Sequence, residues 1–228
     1  MTARSPGTPD DARPLAGVVH DLRQPLDALA IYAELLAQDP TQAVELAPRM
    51  VRATALAQSL ARSLQDLVTL RGPATQPVRA VVDVPTLLSE LAAVYEPLAR
   101  HKGLQWRVRG IGAATLVSDA AWLRRVLGNL LANAVRYTAH GGVLLAVRRR
   151  AGRIAFEVWD TGPGLVPADQ QRVFEPLVRL TAAGEGAGLG LAVVREGAQR
   201  LGCEVTLRSR PGRGSVFGLV FSTSSAGR

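Results

Sequence analysis

Cysteine is almost missing from this chain: Cys203 is the only one in 228 residues. An internal disulfide is therefore excluded, and a reducing, cytoplasmic setting is expected. Cys203 stands in an apolar stretch ahead of a predicted strand, where it reads as a small core residue and not as a nucleophile. Aromatic residues are only 4% of the chain while hydrophobic residues reach 47%, so Leu, Val and Ala must fill the core. Lysine is equally scarce. Lys102 is alone among 27 basic residues, and the net charge of +8 is carried by arginine. The one dense basic run, Arg148-Arg149-Arg150, has no aromatic residue interleaved with it. It reads as a solvated strand end, and no nucleic-acid partner is expected. An acidic or phosphate-rich partner suits the net charge. No apolar run reaches 18 residues, so no membrane-spanning helix is expected in this chain. Residues 1–11 lack the apolar centre of a signal peptide and read as a tail or the end of a linker. There is no GxxxxGK[ST] sequence, which excludes a P-loop.

What is present begins with an amphipathic helical pattern over residues 10–38. Val18, Val19, Leu22, Leu26, Leu29, Ala33 and Leu36 recur at steps of three and four and mark one apolar face. Pro25 interrupts it, because proline lacks an N–H and its ring crowds the carbonyl of Asp21. A kink is expected there, one turn after the adjacent His20 and Asp21. Proline inside a helix costs about 3 kcal/mol, so a bend that presents His20 is one reading and a surface histidine on a kinked helix is the other. Asp39 can cap a second helix with Pro40 at its first position. That second run reaches about residue 70 with Leu46, Met50, Ala53, Leu56, Leu60, Leu64 and Leu67 as its stripe. Two long helices with a short connection read as an antiparallel hairpin over residues 12–70. A lone hairpin leaves part of its stripe uncovered, and pairing two copies into a four-helix bundle would bury it.

Residues 71–80, RGPATQPVRA, change composition sharply and read as a linker. Beyond them, to about residue 223, the periods mix. Strands are expected at 81–84, 104–109, 114–117, 143–150, 153–159, 204–209 and 215–221. Helices are expected at 86–102, 119–137 and 189–201. Ala151-Gly152 makes a hairpin of the two middle strands. Helices grouped with antiparallel strands argue for an α+β fold, a two-layer sandwich, with residues 224–228 as a tail.

Three stretches carry chemistry. Asn129 and Asn133 lie four apart and share a helix face. They are either capping or core amides or a pair of oxygens for a hard cation such as Mg²⁺, which uses few protein ligands beside water and phosphate. Arg136, one turn on, could reach the same phosphates. Asp160 then ends a strand and is followed by Thr161, Gly162, Pro163 and Gly164. This is either an ordinary Asp-Gly turn or a carboxylate that accepts from an exocyclic amine such as adenine's, with glycines admitting a ligand to the backbone. Finally, the glycine-rich residues 184–190 open a helix, whose N–H groups can meet phosphate oxygens. They do not sit in a parallel βαβ unit, so a dinucleotide fingerprint is a poor explanation.

Taken in order, these stretches resemble the sensor histidine kinases of two-component systems. HDLRQPL at 20–26 resembles the phosphoacceptor H box and residues 129–138 the N box. Residues 160–165 resemble the first glycine box, VFEP at 173–176 the F box, and 186–191 the second glycine box. Residues 209–217, with Gly212, Gly214 and Ser215, resemble the terminal glycine-and-hydroxyl segment. The resemblance spans about residues 15–221. It implies a helical-hairpin dimerisation and phosphotransfer domain followed by an ATP-binding domain of the Bergerat type. By position it implies that Asp160 recognises adenine and that Asn133 and Asn129 hold Mg²⁺. Arg136 and Arg179 would approach the phosphates, and Tyr137 would line the nucleotide. Gly162, Gly164, Gly186, Gly188, Leu189, Gly190 and Ser215 would shape the pocket, with residues 177–187 as a short lid. Two departures stand out. Gln24 occupies a position where Thr or Asn is usual, although its amide can still orient water for hydrolysis of an aspartyl phosphate. Leu177 replaces a common second aromatic in the F box.

The implied reaction is phosphoryl transfer from ATP to His20, then to an aspartate on a response-regulator receiver domain. Asp21 would accept from Nδ1 and leave Nε2 as the nucleophile, which needs a particular His20 rotamer because adjacent helical residues do not face each other. A non-catalytic ATP-binding signalling module and a basic nucleic-acid-binding protein are the competing classes. The absence of a DNA-binding motif disfavours the second.

Overall fold

The computed structural model describes residues 13–71, 77–150, 152–176, 178 and 188–222. They fall into two compact units, one helical and one mixed.

The helical unit is a hairpin. Helix α1 (Arg13–Gln38) is followed by a 3-10 turn at Pro40–Gln42 and helix α2 (Ala43–Arg71). Asp39 starts the turn as expected: its Oδ1 accepts from the Thr41 N–H at 3.0 Å and from the Thr41 hydroxyl at 2.6 Å. Those bonds hold its carboxyl below the usual range. Pro25 does not end α1, which continues through it as one element with the proline buried. Proline lacks one N–H, so it removes one intrahelical bond and leaves the partners of its neighbours in place. The packed stripe also runs differently from the expected one. Leu22, Pro25, Leu29, Tyr32 and Leu36 are buried or half-buried, whereas Leu26 and Ala33 are exposed. Steps alternate between three and four, the spacing of two helices that wind about each other. Proline and tyrosine fill the positions that a count of aliphatic residues passes over. In α2 the inward residues are Leu46, Met50, Ala53, Ala57, Leu60 and Leu64, and Leu56 is 38% exposed. The Leu67 side chain lies outside the described residues.

The mixed unit is a sheet covered on one face by helices. Its strands are β1 (Ala80–Asp83), β2 (Gln105–Arg109), β3 (Thr115–Ser118), β4 (Gly142–Arg150), β5 (Arg153–Asp160), β6 (Glu204–Arg210) and β7 (Gly214–Ser222). Its helices are α3 (Val84–His101), α4 (Ala120–Tyr137), the single turn α5 (Asp169–Arg172) and α6 (Gly190–Leu201). The main sheet has the order β2-β4-β5-β7-β6, and β1 pairs with β3 in a separate ribbon. Every pairing is antiparallel except β2 with β4. That exception departs from the antiparallel expectation. Residues 110–141, with α4 among them, separate the two strands and supply the long crossover a parallel pair needs.

Alternation decides what the sheet buries. Ile154, Phe156 and Val158 of β5 and Phe217, Leu219 and Phe221 of β7 face the helices. Leu87, Leu88 and Leu91 of α3 and Leu123, Val126, Leu127, Leu130 and Leu131 of α4 meet them from the other layer. Burial of each such side chain contributes roughly 1.5–3 kcal/mol. Phe156 and Phe221 meet edge to face at 5.9 Å. Gly197 lets α6 lie close on α4, since a Cβ there would collide with the Val126 side chain.

Asp119 begins α4. Its Oδ1 accepts from the Trp122 N–H at 3.0 Å, a cap worth about 1 kcal/mol. Its Oδ2 accepts from the N–H of Val78, on the chain entering this unit, at 2.8 Å. Burial holds the Cys203 thiol up at about 12, which leaves it unreactive. Among the described residues no helix is long and apolar enough to cross a membrane.

Candidate functional site

Four segments converge at one end of the mixed unit: the second half of α4, the loop after β5, the start of α6 and the first residues of β7.

Asp160 closes β5 opposite Ser215 of β7. Its Oδ1 accepts from the N–H of Gly162 at 2.8 Å and of Ser215 at 3.3 Å. No bond of Oδ2 to the protein is found among the described residues. Burial pushes the carboxyl above its usual range, and the two N–H bonds only partly offset this. The surrounding backbone leaves room for no other side chain. A Cβ on Gly162 would sit 2.9 Å from Asp160 Oδ1 and 3.3 Å from the Tyr137 carbonyl oxygen. Gly214, at φ 83°, has no space for a Cβ beside the Asp160 carbonyl. These two glycines are where the turn needs glycine.

The loop from Gly162 to Val166 is held from behind. Ser209 Oγ accepts from the Leu165 N–H at 2.8 Å and donates to the Gly214 carbonyl at 3.1 Å. The hydrogen between Ser209 and Ser215, 2.9 Å apart, is therefore supplied by the Ser215 hydroxyl. Gln170 Nε2 donates to the carbonyls of Leu165 and Ser209 at 3.3 and 3.1 Å. Thr161 donates to the His140 carbonyl at 2.8 Å and accepts from the Gly142 N–H at 2.9 Å. Sequence reasoning missed the supporting roles of Thr161 and Gln170. The Asp-Thr-Gly turn signals the first; nothing in the sequence signals the second, because it depends on where α5 docks. In the F box, Val173 is buried and Phe174 meets Phe217 edge to face at 6.3 Å.

On α4, Asn129 and Asn133 face the first residue of α6. A Cβ on Gly190 would lie 3.7 Å from Asn133 Nδ2, 3.8 Å from its Oδ1 and 3.9 Å from Asn129 Oδ1. The Nδ2 of Asn129 is buried and has no partner among the described residues. So is the Nη2 of Arg136. Gly188, at φ 70°, and the buried Leu189 lead into α6. Two carboxamides facing a helix N-terminus, one of them with a buried N–H lacking an acceptor, and on the next turn a buried guanidinium N–H lacking one, suit an anion accompanied by a hard cation. Two neutral amide oxygens are a donor set that Mg²⁺ accepts when phosphate and water complete its shell. Among the described residues no cluster of three or more His, Cys, Asp or Glu offers an alternative metal site. Arg136 lies 5.5 Å from the ring centre of Tyr137, whose side chain is 47% exposed.

The structure thus brings together Asn129, Asn133, Arg136, Tyr137, Asp160, Gly162, Gly164, Gly190 and Ser215 in one unit, while Gly188 and Leu189 group with the helical unit. Arg179 and Gly186 lie outside the described residues. His20 is a backbone position on α1, its side chain outside the described atoms; Asp21 and Gln24 on the same helix are exposed.

Residues 118–224 match the family of histidine kinase-, DNA gyrase B-, and HSP90-like ATPases. The sensor-like histidine kinase SenX3 of Mycolicibacterium smegmatis is 32% identical over 213 residues, covering 90% of this chain and 56% of that protein. The adaptive-response sensory kinase SasA of Synechococcus sp. is 32% identical over 217 residues, covering 90% of this chain and 57% of that protein. The chain spans about half the length of the curated relatives it matches. Full-length ShkA in complex with AMPPNP superposes with a TM-score of 0.70 at 31% identity, over 94% of this chain and 47% of that one. The Acinetobacter baumannii histidine kinase AdeS superposes at 0.67 with 19% identity, over 90% and 98%, which bears on the fold alone.

Proposed function

We propose that this chain, a sensor histidine kinase with a Bergerat-type ATPase fold, transfers the γ-phosphoryl group of ATP to His20 and then to an aspartate of a response-regulator receiver domain. The observation that carries this reading is the pairing of two orphaned groups on α4, Asn129 Nδ2 and Arg136 Nη2, with a half-buried carboxylate on β5 whose Oδ2 has no protein partner. One end asks for an anion and the other for an amine, as a nucleotide provides.

Asp160 Oδ2 accepts from the adenine 6-amino group while Oδ1 stays on the Gly162 and Ser215 N–H groups. Tyr137 packs along the nucleotide, and Arg136, with Arg179, meets phosphate oxygens. Asn133 and Asn129 would hold Mg²⁺, which when bound would neutralise charge on the triphosphate. The His20 Nε2 forms a bond to the γ-phosphorus as the β–γ bridging P–O bond breaks and ADP leaves. Asp21 holds the opposite ring nitrogen, and the proton lost from the imidazole passes to this carboxylate or to water. The phosphoryl group then moves to a receiver aspartate. Gln24, on the exposed side of α1, orients water for hydrolysis of that aspartyl phosphate, so the same helix also supports phosphatase activity.

The hairpin pairs with a second copy through residues 12–70. Leu26 and Ala33 on α1 and Leu56 on α2 flank the packed stripe and are exposed in a single chain. Burying them in a four-helix bundle stabilises the dimer by the same apolar transfer that holds the hairpin. The test is labelling with ATP carrying a radioactive γ-phosphate, wild type against His20→Gln, with ATP binding measured in both. Loss of acid-labile label with retained binding supports the assignment; equal label in the variant removes it.

A further inference from the structure

Lys102 follows α3 and reaches across to the far end of α4. Its Nζ donates to the carbonyl oxygens of Val135 at 2.9 Å and Arg136 at 2.5 Å. These belong to the last four carbonyls of α4, which have no partner within the helix. An ammonium there meets open lone pairs and the negative end of the helix dipole together. Every other basic residue among the 27 is arginine. Arginine offers its donors in a flat fork, suited to a carboxylate or phosphate; an ammonium offers three in a cone. Two successive carbonyls splayed at a helix end call for the cone.

What that end of the helix carries gives the contact its meaning. Arg136 has a buried Nη2 without a partner and a guanidinium over the Tyr137 ring. Thr138, which closes the helix, is fully buried, and its Oγ1 also has no partner among the described residues. The last turn therefore holds polar groups waiting for a ligand, and the ammonium grips the backbone carbonyl of Arg136, which carries one of them. Burial and the nearby Arg136 charge both lower the Lys102 pKa, as expected of two cations drawn close.

We propose that Lys102 is a positioning residue for nucleotide binding. By fastening the carbonyl oxygens of Val135 and Arg136 it fixes the last turn of α4, and so aims Arg136 at the phosphates and sets Tyr137 against the nucleotide. This rests on the ATP-binding reading of the site.

The test is a double-mutant cycle on the full chain: wild type, Lys102→Met, Lys102→Arg, Arg136→Met and the double variant Lys102→Met/Arg136→Met. ATP affinity is read by displacement of a fluorescent nucleotide, and the melting temperature of each ligand-free protein is recorded. Lys102→Met is expected to weaken ATP binding about tenfold, the loss of one net charged hydrogen bond. Lys102→Arg recovers part of it. In the Arg136→Met background the second substitution adds little, because Lys102 acts through Arg136. Fully additive losses, or unchanged affinity in Lys102→Met while wild type binds ATP, would overturn the proposal alone. Failure of wild type to bind ATP would overturn the nucleotide reading and this role with it. A second measurement needs no variant. Lys102 is the only ε-amine, so acetic anhydride reports on it directly, and saturating ATP should slow its acetylation; equal rates with and without ATP would also refute the role.

Discussion

Replacing Asp160 by Asn should separate what this residue does for the fold from what it does for the ligand, because the two effects have opposite signs. The amide keeps Oδ1, so the bonds from the Gly162 N–H at 2.8 Å and the Ser215 N–H at 3.3 Å survive. It removes the charge whose burial raises the carboxyl above 3.8. The sign follows from linkage. A carboxyl that binds its proton more tightly when folded adds stability in acid, and that contribution is lost as pH rises from 3.8 through the raised folded value. At neutral pH the ligand-free wild type therefore bears the cost of a buried carboxylate, and Asp160→Asn does not. Its melting temperature is expected to match or exceed that of wild type at pH 7, with the gap closing as the pH falls toward 3.8. ATP binding moves the other way. A charge-assisted bond from the adenine amine to Oδ2 is worth about 1.5–3 kcal/mol, so Kd should rise about 12- to 160-fold. Isothermal titration with ATP and GTP, with and without Mg²⁺, reads both the loss and its specificity. GTP, lacking the 6-amino donor, should bind wild type poorly. Asn133→Ala should weaken binding chiefly when Mg²⁺ is present. Equal ATP and GTP affinity in wild type, or a variant that loses melting temperature but not affinity, would refute the adenine role.

Other expectations are simpler. His20→Gln should abolish acid-labile phosphorylation while nucleotide affinity stays at the wild-type value, measured by γ-phosphate labelling beside titration. Gly214→Ala combines a left-handed φ of 83° with a Cβ that meets the Asp160 carbonyl, and should destabilise by about 2–4 kcal/mol in urea denaturation. Gly112→Ala, at φ 72° with no neighbour within 4 Å, should cost only the backbone strain, about 1–2 kcal/mol. Leu56→Glu should shift the chain from dimer to monomer in sedimentation velocity at tens of micromolar, with helicity retained; a dimer of unchanged strength would remove the bundle face assigned to α2.

Much of the mixed unit was legible because its signals are local. Asp119 before α4, the alternation along β5 and β7, and Gly152 between β4 and β5 act within a few residues, and each expected element forms within two residues of its bounds, whereas the single turn α5 was not foreseen. The parallel pairing of β2 with β4 was not legible, since strand direction depends on a crossover that periodicity does not encode. The hairpin shows the opposite failure. Its existence was plain, and Leu22, Leu29 and Leu36 pack as expected, but Leu26 and Ala33 do not, because Pro25 and Tyr32 occupy core positions that aliphatic counting does not score. At the site, Asn129, Asn133 and Asp160 were readable from side-chain chemistry. Gln170 and Lys102 were not, since both act on backbone carbonyls of distant segments, and any residue with a donor at the right place in space could have done so.

The Asp119 carboxylate gives the nucleotide helix a mechanical property. One oxygen holds the first turn of α4 and the other holds Val78, so a single side chain, 8% exposed, serves as the rivet between the entering chain and the helix. Peeling residues 77–79 away strands a buried carboxylate oxygen, a penalty of about 1–3 kcal/mol or more. The 18 residues of α4 form a rod about 27 Å long. Force applied where the chain enters therefore does not dissipate in a slack tether: it loads the end of the rod whose other half carries Asn129, Asn133 and Arg136.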